Sequence, residues 1–433
     1  MTPQKCIIRF RLSINDIMTI GIFGISSQSG RAFLADFVAK GYHVIGYTRP
    51  TAHGQEVLDS IHRLGGLYLE RPDNTNHELS KFVPLGDSCV TENLEFIVNN
   101  SDLVIVALPS TFHEDAVKQM SDCGIWRRRM PIILSPSRSF SSPYMWKIVG
   151  DRYPFVNFST CPYSCKAPKP EVSLIKRRKR TYIASLEGDL NRKQVDFIRE
   201  LFPQAALTRI PALTSLNNIG GVFHCATYML NIDEIERRKN AGEIFSFYMD
   251  GIASRPDVGE VLEEIDQVRL QIAKAIGVRT FGLKENARED IWRKLTNGLR
   301  ALEEESIDDI DFLRRIRKEF TEFLDTCVIS AQHWLDITYG VVRKEGESLS
   351  EAIGRTPTYQ KNSVPQLRYV TEDIPTGLVV YEALAKMFNI DCAVCSQIID
   401  MYDQRFGVDS REQGRNLSGF SKKYVVDYLL GNY

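Results

Sequence analysis

The 433-residue sequence carries almost no net charge, because 54 lysines and arginines face 55 aspartates and glutamates, leaving -1. Such a chain has no overall field to draw it to nucleic acid or to an anionic membrane, so neither is expected as a partner. It also lacks any run of roughly eighteen apolar residues, the length a membrane-spanning helix needs. A secretion signal is not expected either. Arg9, Arg11 and Asp16 interrupt whatever apolar core residues 1–17 offer, so this stretch reads as a short extension, with Met18 as an alternative start. The nine cysteines are odd in number and scattered, which argues for no disulfide framework and for a reducing cytoplasm. Cys161-x-x-x-Cys165 and Cys392-x-x-Cys395 have no second ligand pair and no histidine at zinc-site spacing, so no metal is expected. The sequence leaves the oligomeric state open.

What is present is a globular composition, 43% hydrophobic, in a chain too long for one core. Two domains are predicted after the extension, over 18–210 and 211–433. In the first, short apolar strands alternate with helical segments, the pattern of an α/β domain with a mostly parallel sheet. Thr19–Phe23, His43–Tyr47, Leu103–Leu108, Pro131–Leu134 and Phe155–Phe158 read as strands, and Arg31–Lys40 as the first helix. The basic run from Lys176 to Arg180, between the strand-like Val172–Ile175 and Thr181–Ser185, reads as a solvated hairpin turn. Beyond about Pro211 the period becomes helical. Ile310, Leu313, Ile316, Phe320, Phe323 and Leu324 share one helix face, Leu378–Phe388 and Ala393–Tyr402 repeat the pattern, and Gly346–Pro365 reads as an exposed loop.

The segment Gly24-Ile25-Ser26-Ser27-Gln28-Ser29-Gly30 follows the first strand and opens a helix. In that position backbone amides and the positive helix end can meet a pyrophosphate, provided small residues let it approach. Of the G-x-G-x-x-G places only Gly24 is a glycine. Ser26 and Ser29 occupy the others, and an ordinary strand-to-helix turn is the alternative. After the second strand, where an acidic residue would hold the 2′-hydroxyl of NAD, Tyr47-Thr48-Arg49-Pro50-Thr51 offers a guanidinium and hydroxyls. That chemistry suits a 2′-phosphate, so NADPH is the expected cofactor with NADH possible, unless Arg49 is merely solvated.

His224 lies in Asn217-Asn218-Ile219-Gly220-Gly221-Val222-Phe223-His224-Cys225. It is either a packed residue or a proton donor and acceptor that the two glycines let a ligand approach. Arg368-Tyr369-Val370-Thr371-Glu372-Asp373-Ile374-Pro375 precedes an apolar helix, with Thr371 or Asp373 as N-cap and Pro375 in the first turn. Capping would account for the acidic residues but not for Arg368-Tyr369.

At these segments the chain resembles the octopine/nopaline (opine) dehydrogenase family over nearly its whole length after Met18. Arg368 to Pro375 with Gly377 is very close to the family's R-Y-x-T-E-D-I-P-x-G. Thr160-Cys161-Pro162-Tyr163-Ser164-Cys165-Lys166 is similar to its T-L-P-W-A-C-R, and Pro109 with His113-Glu114 falls in its V-P-x-x-x-H-E stretch. The resemblance implies a Rossmann-type dinucleotide-binding domain followed by a mainly α-helical domain like the C-terminal one of 6-phosphogluconate dehydrogenase. It implies NAD(P)H-dependent reduction of the imine formed by an amino acid, or another amine, with a 2-oxo acid. His224 would be the acid/base group and Asp373 its orienting carboxylate, as in other dyads. Gly24, Ser26, Ser27, Ser29, Arg49, Pro109 and Arg368 would bind the cofactor, Arg368 at its pyrophosphate. Arg138 and Thr160 would bind substrate. Arg138 stands where a glutamine contacts the oxo acid, so it would grip a second carboxylate such as that of 2-oxoglutarate, the alternative being a surface arginine or one paired with a nearby carboxylate. Ser159 replaces a glutamate that recognises a guanidinium, which argues against arginine as the amine. Cys225 replaces a proline. Two other functions remain open: a 2- or 3-hydroxy-acid dehydrogenase on the same plan, and a non-catalytic dinucleotide-binding regulatory protein.

Overall fold

The computed structural model describes residues 18–70, 81–179, 182–282, 327–339, 341, 343–344, 346–361 and 363–433. The proposed extension over 1–17 and the amphipathic face from Ile310 to Leu324 lie outside them. The chain forms two compact units. The first comprises Met1–Ala107, Asp122–Met130 and Tyr163–Arg177, and the second comprises Leu108–Ser121, Pro131–Pro162 and Arg178–Tyr433.

In the first unit, β1 (Thr19–Phe23), β2 (His43–Tyr47), a short strand at Cys89–Thr91 and another at Leu103–Val106 lie side by side, all parallel. Parallel strands need crossovers, and α1 (Gln28–Ala39) and α2 (Ala52–Leu64) supply them. Leu103–Val106 is buried at every position, as an unbroken apolar run in a doubly covered sheet should be. Each such side chain contributes roughly 1.5–3 kcal/mol. This βαβ order, with the phosphate-type loop between β1 and α1, is the Rossmann-type arrangement expected from the sequence.

A second sheet in this unit pairs Gly66–Glu70 with Lys81–Pro84 antiparallel and with Val172–Arg178 parallel. The predicted hairpin at the basic run is therefore not formed. Val172–Arg178 joins Gly66–Glu70, while Tyr182–Glu187 pairs with Phe155–Phe158 and Ala205–Thr208. Apolar runs on either side of a charged stretch announce two strands without saying which partner each takes.

The second unit holds that antiparallel and parallel set together with Ile132–Leu134, parallel to Phe155–Phe158. The rest of it is mainly helical. Its principal helices are α3 (Gly220–Met229), α4 (Pro256–Ala275), α5 (Leu349–Gly354), α6 (Arg368–Thr371), α7 (Val379–Met387) and α8 (Ala393–Phe406). Fully buried Arg269 on α4 pairs with Asp266 and donates to the carbonyls of Leu216 and Ile329, the latter at 2.6 Å. It thereby satisfies the carbonyls of the last residues of the helix Ala212–Leu216 and of the strand Cys327–Ile329.

The stretch Gly346–Pro365 differs from its expected exposed loop. Ser348 and Glu351 form a capping box that starts α5, and Leu349, Ala352, Ile353 and Tyr359 are buried. The S-x-x-E signature was in the sequence, masked by the surrounding glycine, proline and hydroxyl residues. Among the described residues no helix is long and apolar enough to cross a membrane.

Candidate active site

The loop between β1 and α1 shows how serines serve in a glycine-type turn. Gly24 has φ +101°, a conformation that side chains rarely adopt, and its amide donates to the Tyr47 carbonyl at 2.9 Å. Gly30 is the second essential glycine: a Cβ there would stand 2.1 Å from the Gly24 carbonyl oxygen. It lies one residue past the last place of the G-x-G-x-x-G pattern, which is why a strict pattern count misses it. Ser27 is the N-cap of α1. Its Oγ accepts from the Gly30 amide at 2.9 Å and donates to the Ala107 carbonyl at 2.7 Å, while Ser29 Oγ reaches the same carbonyl at 3.4 Å. A cap of this kind contributes about 1 kcal/mol.

The Ser26 carbonyl accepts from Arg31 Nη2 at 3.0 Å and from His53 Nε2 at 3.2 Å. Arg49 is half-buried, two residues past the end of β2 and two before Thr51, the N-cap of α2. A loop that a Cβ would block, at the start of a twelve-residue helix, fits a dinucleotide pyrophosphate.

The second unit brings His224, Asp373 and Arg138 together. His224 projects from α3 and stacks on Tyr369, centroids 4.2 Å apart and planes 15° from parallel. Its Nδ1 lies 2.6 Å from Oδ2 of Asp373. A carboxylate can only accept there, so Nδ1 carries the proton and Nε2 holds the lone pair of the neutral ring. The imidazole keeps 20% of its side-chain surface exposed and Asp373 only 1%.

The capping reading of Asp373 fails. Asp373 precedes a widened π turn at Ile374–Leu378 but makes no side-chain cap, and Thr371 closes α6 rather than opening a helix. Its carboxylate is turned instead toward His224 and, through Oδ1, toward Arg138 Nη1 at 3.0 Å. Pro375 does sit in the first turn, as expected.

Glycines make room for this. Gly221 takes the Tyr381 ring, which a Cβ would meet at 3.1 Å, and Tyr381 donates its hydroxyl to the Asn218 carbonyl at 2.9 Å.

Around the pair is a charge network centred on Arg138. Arg138 Nε donates to Glu372 Oε1 at 3.2 Å and Nη1 to Asn218 Oδ1 at 3.1 Å. Burial works against the guanidinium's charge, but Asp373 and then Glu372 more than offset it, raising Arg138 above its ordinary value. Of the two readings of Arg138, the structure contains the pairing with protein carboxylates.

Glu372 also accepts from the Ser110 amide at 3.0 Å and the Ser110 hydroxyl at 3.2 Å. Burial alone would push its carboxyl up. The Arg138 guanidinium, the hydrogen bond from it, the Ser110 amide and Arg368 outweigh that and bring it down to about 2.

Fully buried Arg415 completes the set, donating to the Ser137 and Ser139 carbonyls at 3.0 Å each and to that of Ser110 at 3.4 Å. Ser110, Glu372 and Arg415 were missed by sequence reading. Glu372 stood in the recognisable run but resembled a cap residue, and Arg415 sits among polar residues with no pattern to mark it.

The other predicted residues have different hydrogen-bond partners. Pro109 begins the short turn Ser110–Phe112, after which buried His113 donates from Nε2 to the Leu108 carbonyl at 3.0 Å. Burial, reinforced by Arg415, lowers His113 to about 3, so it is neutral and structural. Thr160 receives a hydrogen bond from Lys179. Arg368 is exposed, its Nε donating to Gln366 Oε1 at 2.6 Å. Burial raises the Cys225 thiol well above its ordinary range, with Asp373 adding to the effect, so it stays protonated beside His224.

Residues 212–405 match the family model described as NAD/NADP octopine/nopaline dehydrogenase, alpha-helical domain. The segment includes both His224 and Asp373. Over that segment the chain matches the octopine/nopaline dehydrogenase family, and the wider comparisons fit a divergent member of it. Its place is thus among the NAD(P)-dependent oxidoreductases. An opine dehydrogenase of Arthrobacter sp. (strain 1C) is 22% identical over 409 residues, 92% of this chain and 94% of that one.

Among solved structures, octopine dehydrogenase with NADH and L-arginine shares the fold at a TM-score of 0.67 and 16% identity, over 96% of this chain and 98% of that one. Yersinopine dehydrogenase with NADP+ bound shares it at 0.56 and 11% identity, over 96% of each chain.

Proposed function

We propose that the protein is an opine dehydrogenase that condenses the amino group of an amino acid, or another amine, with a 2-oxo acid and reduces the resulting imine. The observation that carries this reading is the 2.6 Å contact between His224 Nδ1 and Asp373 within the segment matched by the family model. The nicotinamide cofactor supplies the hydride when bound.

His224 Nε2 acts as the acid/base group, giving and taking the proton at the reacting centre and binding the oxo acid. Asp373 holds the ring in the Nδ1–H tautomer and stabilises the imidazolium that forms. Residues 18–210 serve as the cofactor domain and 211–433 as the substrate domain. Gly24, Ser26, Ser27, Ser29 and Pro109 receive the dinucleotide, with Arg368 at its pyrophosphate, and Thr160 contacts substrate. Ser159 has no charge to offer a guanidinium, so the amine is one other than arginine.

The reaction class is tested by the co-substrate requirement. NADPH is consumed only when an amine and a 2-oxo acid are both present, with the N-(carboxyalkyl) product detected by mass. Oxidation with the oxo acid alone would identify direct carbonyl reduction instead.

Arg49 selects NADPH over NADH through the 2′-phosphate. In Arg49→Glu the ratio of kcat/KM for NADPH to that for NADH falls by on the order of tenfold or more, the loss of one charge-assisted contact. An unchanged ratio removes Arg49 from cofactor selection.

A further inference from the structure

The Arg138 guanidinium touches three side chains of the second unit: Glu372, Asp373 and Asn218. Two features show that the fold is shaped around it. Arg138 has φ +62°, a left-handed conformation that favours glycine and strains an L-residue. The turn is nevertheless fixed on both sides. The Ser137 amide donates to the Phe158 carbonyl at 3.0 Å, the Ser139 amide donates to the Thr376 carbonyl at 3.1 Å, and Arg415 clamps the carbonyls of both serines. The second feature is Gly220. A Cβ there would stand 2.8 Å from Arg138 Nη1 and 2.9 and 3.0 Å from the two Asp373 oxygens, so the glycine is the space in which the pair meets.

Asp373 is 0% exposed and Glu372 2%, and they are consecutive in the chain. Two adjacent buried carboxylates repel each other and lack water to screen them. Arg138 is the cation that touches both. It leaves Asp373 divided in function, with Oδ1 held by a permanent charge and Oδ2 aimed at the imidazole. One positive charge shared between two carboxylates neutralises only part of their charge, so Asp373 keeps negative charge with which to support a proton on the imidazole.

We propose that Arg138 is the positioning residue of the His224–Asp373 pair, holding Oδ1 of Asp373 so that Oδ2 meets Nδ1, with Glu372 and Arg415 holding Arg138 in turn. This rests on the reading of His224 as the acid/base group. It assigns Arg138 to the dyad and not to the second carboxylate of an oxo acid.

Arg138→Gln keeps a hydrogen-bonding side chain and removes the charge. Its kcat falls by about 100-fold, within the range a misplaced acid/base group costs. The KM for the oxo acid stays within about twofold, since no substrate contact is lost. In an Asp373→Asn background the same change costs little more, because residues that act through one another are not additive.

A measurement without turnover accompanies these. In ¹⁵N-histidine spectra of the substrate-free protein, with the His224 signal assigned from His224→Asn, the wild type shows a single Nδ1–H tautomer and Arg138→Gln a mixture. Arg138→Lys, which retains the charge but not the fork, recovers part of kcat and most of the tautomer. It also carries the comparison if Arg138→Gln does not fold.

A raised KM for dicarboxylic oxo acids with the tautomer unchanged would show that Arg138 grips substrate and would overturn the proposal. Additive losses with Asp373→Asn would overturn it too. If no amine and oxo acid pair supports turnover, the proposed function fails and the spectra alone decide the role of Arg138.

Discussion

Replacing His224 with alanine is expected to lower kcat for imine reduction by on the order of 10³-fold, in the middle of the range that general acid/base groups contribute. NADPH binding, followed by its fluorescence in a titration, stays unchanged, because the loop of Gly24–Gly30 belongs to the first unit and the imidazole to the second. The variant should fold. The ring is partly exposed, its loss removes a stacking contact with Tyr369, and Asp373 keeps its ion pair with Arg138. Asp373→Asn should be impaired but less severely, since the ring remains and only its tautomer and its charged form lose support. A His224→Ala enzyme that turned over at the wild-type rate would remove the dyad from the mechanism.

The largest stability effect is expected at Glu372. Glu372→Ala leaves Arg138 with one carboxylate where it had two and deprives the Ser110 amide and hydroxyl of their acceptor. Breaking a buried ion pair by removing one partner typically costs about 3–5 kcal/mol, and the remaining contact with Asp373 places this case at the low end.

The effect is pH-dependent in a defined direction. The Glu372 carboxyl is depressed to about 2 in the folded protein, against about 4.3 in an unfolded chain. Its contribution is therefore complete above the unfolded value and is lost as the pH falls from there through the folded one. Urea unfolding at pH 7 should show the full difference between wild type and Glu372→Ala. The gap should narrow progressively below about pH 4. A gap that persisted undiminished at pH 2 would mean that packing, not charge, holds this residue.

Much of the first unit was legible because a buried parallel strand leaves an unambiguous mark. Thr19–Phe23 and His43–Tyr47 fall where apolar runs placed them, as does Phe155–Phe158 in the second unit. A charged or polar side chain leaves no such mark. An aspartate before Ile-Pro looks the same whether it caps a helix or is turned inward to a histidine, and only the fold separates the two for Asp373. Arg138 was singled out as a cation facing carboxylates, but the carboxylates it meets here belong to Glu372 and Asp373, far along the chain. Apart from an ion pair with Glu114, Arg415 works through backbone carbonyls, which every residue possesses, so a side-chain pattern in the sequence says little about its partners.

The serine-braced loop between β1 and α1 has a consequence for how a dinucleotide is received. A loop with glycine at all three fingerprint places is supple and must be ordered by its ligand, so part of the binding energy is spent on immobilising it. Here Ser27 and Ser29 tether the turn to the Ala107 carbonyl, and glycine remains at Gly24 and Gly30, where geometry demands it. The entropy of ordering is met when the chain folds, before any cofactor arrives. Bracing by Ser27, with a longer contact from Ser29 in one of the glycine places, thus exchanges adaptability for preorganisation.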